Sequence, residues 1–265
     1  MPTEPVPAYV DTPHGRMHVV TCGTGPALVL LHQTPRCWDE YRAVLDHLDG
    51  YRVIVPDLPG HGNSEPPAQN TIDAAAQAVV SVLDTLEVPR THLVGHHFGG
   101  LVAYHLAAVA PHRVESLVLS STPYIDAAER ERRRDAPPFN DAGGPEDGAH
   151  LHRLWQRRSS YLTVADPAVL GRYVRDVLAH PDPDRGHAAV AAYHSEDAAG
   201  RYDGPVLCIA SDGDPRAFPH RNRILAAFPQ ACAHVLSGGD ISSPETCPAA
   251  FAAAVTGFHR RLAAR

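Results

Sequence analysis

The sequence predicts an α/β protein with a mostly parallel sheet. Short apolar runs rich in β-branched residues alternate along the chain with segments of helical spacing, a pattern typical of repeated strand–helix units. In the run Thr91–Gly100, an apolar strand leads directly into a glycine-bounded turn and then into an apolar helix. The chain of 265 residues, 44% of them hydrophobic, is long enough to bury one large core.

The amino-terminal part alternates strands and helices. The predicted strands are a hairpin at Ala8–Asp11 and Arg16–Cys22, then Ala27–His32, Tyr51–Asp57, His92–His96 and Val114–Ser121. The predicted helices are Trp38–Leu48, Thr71–Val88 with a threonine cap, and a helix after the glycine-bounded turn that ends near Ala110. The segment Asp57–Ser64 is rich in glycine and proline, so we expect a loop there.

The region Pro123–Asp203 differs from the segments on either side of it. Helical patterns there are separated by proline- and glycine-rich breaks, and sheet-like runs resume only at Pro205–Ser211 and Ala231–Ser237. Helices are predicted near Arg221–Phe228 and from Pro248 to Leu262. We therefore divide the chain into a core formed by residues 1–122 and 204–265 and an inserted helical lid at residues 123–203.

Composition excludes several classes of function. The net charge is −7 and basic residues form no long run, which argues against nucleic-acid binding. No apolar stretch approaches the ~20 residues that a membrane span requires. Five scattered cysteines without a C-x-x-C pair indicate neither disulfides nor a zinc ribbon. The start of the chain lacks a signal-peptide pattern. We expect a cytoplasmic monomer or homodimer that acts on a small molecule without a cofactor or metal.

The segment Gly95–Gly99 carries the main functional signal. It has the layout G-x-S-x-G of a nucleophile elbow, in which a sharp turn between a strand and a helix presents the central side chain. The central residue here is His97, which has neither a hydroxyl nor a thiol. The pattern therefore predicts the elbow while removing its usual nucleophile.

Four further motifs follow in a consistent order. They are Leu30–Pro35, Asp57–Ser64, Leu207–Asp214 and Ser237–Asp240. With the elbow, they resemble the α/β-hydrolase superfamily across nearly the whole chain, especially the lidded branch that contains epoxide hydrolases, haloalkane dehalogenases and C–C bond hydrolases. The resemblance implies a mostly parallel eight-stranded sheet with helices on both faces and an inserted helical lid.

The resemblance also implies a non-standard triad. His97 stands at the serine position, Asp214 (or Asp212) at the acid position, and Asp240 where the family usually has histidine. Because imidazole reaches further than a hydroxymethyl group and carboxylate reaches less far than imidazole, we expect Asp240 to contact His97 and fix its tautomer, with Asp214 supporting either residue. The alternative is that His97 only fills a pocket in a protein that has lost catalysis.

Other site residues follow from the same resemblance. The oxyanion hole would use the backbone N–H groups of Gln33 and Phe98. His32 is a substrate-contact candidate, although the family position more often supports its loop. The substrate-binding candidates in the predicted lid are Trp155, Tyr161, Tyr193 and His194. A lid histidine is an open alternative source of a catalytic imidazole.

These observations favour non-hydrolytic acid–base chemistry. A histidine base beside an oxyanion hole suits a carbonyl-bearing, aromatic or polyketide-like substrate of secondary metabolism. The expected reactions are Michael- or aldol-type C–C bond formation, cyclisation, isomerisation or cleavage by a lyase. One alternative is a hydrolase in which His97 activates water or forms an acyl-imidazole. The other is a ligand-binding protein without turnover.

Overall fold

One sheet of eight strands organises the molecule, and the predicted α/β-hydrolase fold is confirmed. The computed structural model describes residues 4–140 and 147–264. The strands are β1 (Val6–Thr12), β2 (Gly15–Cys22), β3 (Ala27–Leu31), β4 (Arg52–Pro56), β5 (Thr91–His96), β6 (Val114–Ser120), β7 (Val206–Ser211) and β8 (Cys232–Leu236). Their order is β1-β2-β4-β3-β5-β6-β7-β8; β2 pairs antiparallel with both neighbours, and the remaining pairs are parallel.

Helices connect the strands. In the described part of the chain they are α1 (Arg42–Leu45), α2 (Ile72–Thr85), α3 (Phe98–Val109), α4 (Ala127–Arg134), α5 (Ala149–Ser159), α6 (Pro167–Leu178), α7 (Arg185–Ala191), α8 (Ser195–Ala198), α9 (Arg221–Ala227), α10 (Ser243–Thr246) and α11 (Pro248–Ala263). Helix α2 begins where the Thr71 hydroxyl accepts the Ala74 N–H at 3.1 Å, which confirms the predicted cap. No helix among these residues is long and apolar enough to cross a membrane.

The core lies on both faces of the sheet because strand side chains alternate. In β3, Val29 and Leu31 belong to the apolar cluster that contains α2 and α3. Leu28 and Leu30 belong to the cluster on the other face, which contains α11. Covering both faces fixes the strands, so their carboxyl ends form one rigid edge that carries the loops of the site.

The predicted helix Trp38–Leu48 is shorter in the structure. A 3₁₀ turn at Trp38–Tyr41 precedes the single α-helical turn α1. Within the 3₁₀ turn, Asp39 and Glu40 are buried and accept hydrogen bonds from groups of the core. One continuous amphipathic helix would not direct both of these side chains inward.

Five helices of the described residues, α4 to α8, lie between β6 and β7. This is the region predicted as the lid at residues 123–203. The division into core and lid stays a prediction, and residues 141–146 of that region lie outside the described residues.

Candidate active site

The elbow places His97 at the carboxyl edge of the sheet. Strand β5 ends at His96, His97 has φ 48°, and α3 begins at the next residue. A side chain at Gly95 would collide with the Gly99 carbonyl, and one at Gly99 with the Leu31 carbonyl, so both glycines are needed for the close approach. A positive φ at histidine costs on the order of 1–3 kcal/mol. The turn therefore holds the imidazole in a conformation that this residue type rarely adopts.

The partner of His97 is Asp214, which follows β7. His97 Nε2 lies 2.7 Å from Asp214 Oδ2, so the imidazole and the carboxylate are in direct contact. The other carboxylate oxygen accepts the N–H groups of Arg216 at 2.9 Å and Ala217 at 3.1 Å. Burial raises the pKa of Asp214, but His97 and these two donors outweigh burial and lower it to about 2. An ionised carboxylate therefore contacts the Nε2 side of the ring.

The predicted contact between His97 and Asp240 is wrong. Asp240 is buried in its own loop, where Oδ1 accepts the Ser242 N–H at 2.8 Å and the Thr246 hydroxyl at 3.0 Å. Oδ2 accepts the Thr163 N–H of the α5–α6 connection at 3.1 Å. Because backbone and hydroxyl donors surround the carboxylate, Asp240 joins two segments of the chain instead of orienting the histidine.

The choice between the two aspartates after β7 is settled by the same geometry. Asp212 is exposed, and its carboxylate accepts the Gly238 N–H at 2.8 Å. Asp214 is fully buried against the imidazole. Asp214 is therefore the residue that occupies the acid position.

Of the two backbone N–H groups predicted to form the oxyanion hole, the Gln33 N–H already has a hydrogen-bond acceptor. The Phe98 N–H stands at the first position of α3, where no intrahelical acceptor exists. The Gln33 N–H instead donates to Glu40 Oε2 at 2.8 Å, and the Gln33 amide donates to Glu40 Oε1. Burial raises the pKa of Glu40 to about 7 against the opposing effect of Arg36. The Gln33 N–H that was predicted for the oxyanion hole thus binds Glu40 instead. The sequence did not indicate that this acid would lie there.

His32 supports its loop and is not placed to bind substrate. Its Nδ1 donates to the Gln33 carbonyl at 2.8 Å, and its Nε2 accepts the Leu58 N–H at 2.8 Å. Burial lowers the pKa of the imidazole, which keeps the ring neutral. Both ring nitrogens are occupied, so the earlier assignment of His32 to the substrate is corrected to a structural role.

Tyr161 contacts Arg216, which lies two residues after Asp214. Its hydroxyl accepts Arg216 Nη2 at 2.9 Å, and the Arg216 backbone N–H binds Asp214. Trp155 lies half-buried on α5, and no contact between its ring and His97 is present among the described residues. Tyr161 is thus connected to the acid through Arg216, whereas a substrate contact by Trp155 stays a prediction.

Tyr193 and His194 lie away from His97. They line a surface cavity of about 240 Å³ together with Asp73 and His105, and the Tyr193 hydroxyl lies 3.3 Å from His105 Nδ1. His105 follows the elbow by eight residues, which is ~12 Å along a helix. Helix α3 therefore separates these two residues from the elbow, and the prediction that they bind the substrate of His97 is not supported.

Arg158 is a residue that sequence reasoning missed. It lies on α5, is 1% exposed, and donates Nη2 to the Ser242 hydroxyl and Nη1 to Gln33 Oε1, the latter at 3.5 Å. Burial lowers the pKa of its guanidinium. No sequence signal distinguished it from its neighbour Arg157, because only the packing of α5 decides which of two adjacent arginines faces inward.

A group of three potential metal ligands lies outside the elbow region. Cys37, Asp39 and Asp176 are buried close together. Arg36 and Arg175 bind both carboxylates, and burial raises the pKa of the Cys37 thiol far above its usual range. Guanidinium groups thus occupy the positions that a cation would need, and the arrangement fits a buried ionic network better than a metal centre.

Comparison with known proteins agrees with the fold and the motif order. Residues 26–245 match the family model of the alpha/beta hydrolase fold. The chain belongs to this family. A hydrolase from Pseudomonas aeruginosa has 26% sequence identity and a TM-score of 0.79, with 95% of this chain and 97% of that chain covered. An enol-lactonase from Burkholderia xenovorans has 24% identity and a TM-score of 0.78 over 96% of this chain and 100% of that chain, which shows the fold alone.

Curated relatives carry the names of hydrolases. Epoxide hydrolase 3 of Siraitia grosvenorii is 37% identical over 135 residues, which cover 49% of this chain and 41% of that protein. Lipase LipV of Mycobacterium tuberculosis is 41% identical over 157 residues, which cover 51% of this chain and 60% of that protein. The chain thus spans less than two thirds of the length of these relatives. An enzyme of the α/β-hydrolase fold is supported, and the relatives favour hydrolysis over the C–C chemistry expected above.

Proposed function

We propose that this protein is a small-molecule enzyme in which His97 and Asp214 act together as a general base. The observation that carries the proposal is the 2.7 Å contact between His97 Nε2 and a fully buried carboxylate at the elbow. An oriented imidazole is the side chain best suited to proton transfer near neutral pH. The substrate class is a carbonyl compound with an acidic C–H or phenolic O–H, of the kind found in secondary metabolism.

The chemistry follows from the placement of the groups. His97 Nδ1 takes the proton of the substrate, and the ionised Asp214 stabilises the imidazolium that forms. The Phe98 N–H and the amino-terminal end of α3 stabilise the negative charge that develops on the enolate oxygen. The enolate then adds to an electrophilic carbon, cyclises, is reprotonated elsewhere or releases a leaving group, and the imidazolium returns the proton.

The oxyanion region supports proton transfer over acyl transfer. Tetrahedral intermediates of acyl transfer are usually stabilised by two donors, and the Gln33 N–H is bound to Glu40. His97 also has no hydroxyl or thiol to form the usual acyl-enzyme. The Phe98 N–H beside a base can stabilise the oxygen of an enolate.

The second candidate is hydrolysis, and the names of the relatives favour it. Epoxide hydrolases and a lipase match about half of this chain at 30–41% identity. The same dyad can remove a proton from water instead of from carbon. Attack of that water on an epoxide or ester would then give a hydrolytic product without a serine nucleophile.

Isotope incorporation separates the two candidates. Phenylacetone, styrene oxide and 4-nitrophenyl acetate would be incubated with the protein, the first in D₂O and the others in H₂¹⁸O, and analysed by mass spectrometry. Proton transfer predicts deuterium at the α-carbon of the ketone and no ¹⁸O product, whereas hydrolysis predicts ¹⁸O in the diol or the acid. Asp212→Asn, a change at an exposed acid, serves as the control variant.

The role of the dyad is tested in the same assay. His97→Phe should remove the activity, because the variant keeps a ring at the elbow without a basic nitrogen. Full activity in that variant would contradict both candidates. Binding of a ligand without any turnover would favour the ligand-binding alternative.

A further inference from the structure

Two fully buried arginines of the described chain differ in their partners. Arg36 pairs with the carboxylates of Asp39, Asp176 and Glu245. Arg158 contacts only neutral oxygens, those of the Ser242 hydroxyl and the Gln33 amide. No carboxylate oxygen of residues 4–140 or 147–264 lies within 4.0 Å of its guanidinium, and its Nε has no hydrogen-bond partner in that part of the chain.

An unpaired buried guanidinium is costly. Removing a charge from water is strongly unfavourable unless an opposite charge lies nearby. The centre of the Tyr173 ring lies 4.9 Å from the guanidinium carbon of Arg158 and offers a cation–π contact. This contact offsets only part of the cost. The carboxylates of Glu245 and Glu40 also favour the charged guanidinium from beyond 4.0 Å, but Arg36 opposes them, so Arg158 has no direct counter-ion among the described residues.

The position of Arg158 connects this charge with the candidate active site. Its two acceptors lie in different loops beside the elbow, Gln33 after β3 and Ser242 after β8. The Ile241 carbonyl accepts Gln33 Nε2 at 2.9 Å and lies 3.1 Å from His96 Nε2. The His96 ring is 4.7 Å from that of His97, so a short series of contacts links Arg158 to the base.

We propose that Arg158 binds a carboxylate of the substrate, so the substrate of the His97 site is an organic anion. The inference rests on the proposed function, because it assigns the ligand to the same site. The contact with Gln33 Oε1, at 3.5 Å, is the weaker of the two that Arg158 makes and is the one a carboxylate would replace. A planar carboxylate accepts two parallel N–H bonds from a guanidinium and supplies the missing charge. Because Arg158 is 1% exposed, helix α5 has to shift for the ligand to enter.

Binding of simple acids and their neutral amides tests the inference. The probes are benzoate and phenylacetate against benzamide and phenylacetamide, with dissociation constants measured by titration calorimetry or ligand-observed NMR. The wild-type protein should prefer each acid over its amide by on the order of tenfold or more. Arg158→Met should abolish this preference, and Arg157→Met on the same helix should keep it.

The thermal stability of Arg158→Met and the turnover of His97→Phe provide two further tests. Arg158→Met should melt at the same temperature as the wild type or higher, because it removes an unpaired buried charge. Equal binding of acids and amides by the wild type, no binding of either, or a preference that survives Arg158→Met would overturn the proposal. His97→Phe should keep the preference for acids. If that variant also keeps turnover, the proposed base fails while the anion site stands.

Discussion

The loops after β7 and β8 each carry a buried aspartate, and the two carboxylates have different partners. Asp214 and Asp240 are 0% and 1% exposed and lie beyond neighbouring strands of the same sheet. Asp214 accepts two backbone N–H groups of its own loop and faces the imidazole of His97. Asp240 accepts backbone and hydroxyl donors only, one of them from the α5–α6 connection.

The difference shows that the partner of a carboxylate, more than its burial, decides its role. An aspartate that faces a base can change the protonation and orientation of that base. An aspartate surrounded by N–H and O–H donors mainly satisfies hydrogen bonds and joins segments. The predictions below exchange or remove these two carboxylates.

The largest effect should be on turnover. Asp214→Asn should lower kcat by about 10²–10⁴-fold in the isotope assay, because the imidazole loses the carboxylate that orients it and stabilises its protonated form. Asp240→Asn should lower kcat less than tenfold, since the amide oxygen still accepts a hydrogen bond. Steady-state kinetics of both variants checks this, and equal losses would mean that the two acids share the catalytic role.

The next effect concerns equilibrium stability. Asp240→Ala should lower the free energy of unfolding by roughly 1–3 kcal/mol, because the N–H of Ser242 lies in the interior and loses its acceptor. Urea denaturation measures the change. Asp212→Ala is the matched control: it removes an exposed carboxylate of the preceding loop and should change stability much less. Equal destabilisation by the two changes would contradict the structural role of Asp240.

The loss of folding stability at acid pH should depend on Asp214. The folded pKa of Asp214 is about 2, below the ordinary value of 3.8. Its stabilisation is therefore present above about pH 4 and is lost as the pH falls towards 2, by up to ~2 kcal/mol. Asp214→Asn should flatten this part of the stability curve, measured by thermal unfolding between pH 2 and 5. His97→Phe should flatten it in part, and an unchanged curve in both variants would argue against the contact between His97 and the ionised Asp214.

The smallest effect should be local. Asp240→Asn should speed amide hydrogen exchange at Thr163 by about tenfold, since the weakened acceptor holds that N–H less firmly. Asp214→Asn should speed exchange at Ala217 and leave Thr163 unchanged. Mass-spectrometric exchange on peptides that cover the two sites reads both responses. Faster exchange at both sites in either variant would indicate that the loops open together.

Much of the fold was predictable because it rests on local patterns. Strand alternation, the threonine cap of α2 and the glycines around His97 each specify their own segment, and the structure has them as expected. The predicted helix after β3 was too long, because buried contacts of Asp39 and Glu40 interrupt the amphipathic pattern. Local signals thus identified the elements but not every boundary.

The sequence by itself determined the elbow, its imidazole and the absence of a serine nucleophile, since these depend on residue type and spacing along one segment. The tertiary structure decided which acid meets His97, that Glu40 binds the Gln33 N–H, and that Arg158 turns inward without a carboxylate. These contacts join residues far apart in the chain. They depend on how the loops after different strands pack against the helices between β6 and β7. This packing cannot be inferred from any one segment of the sequence.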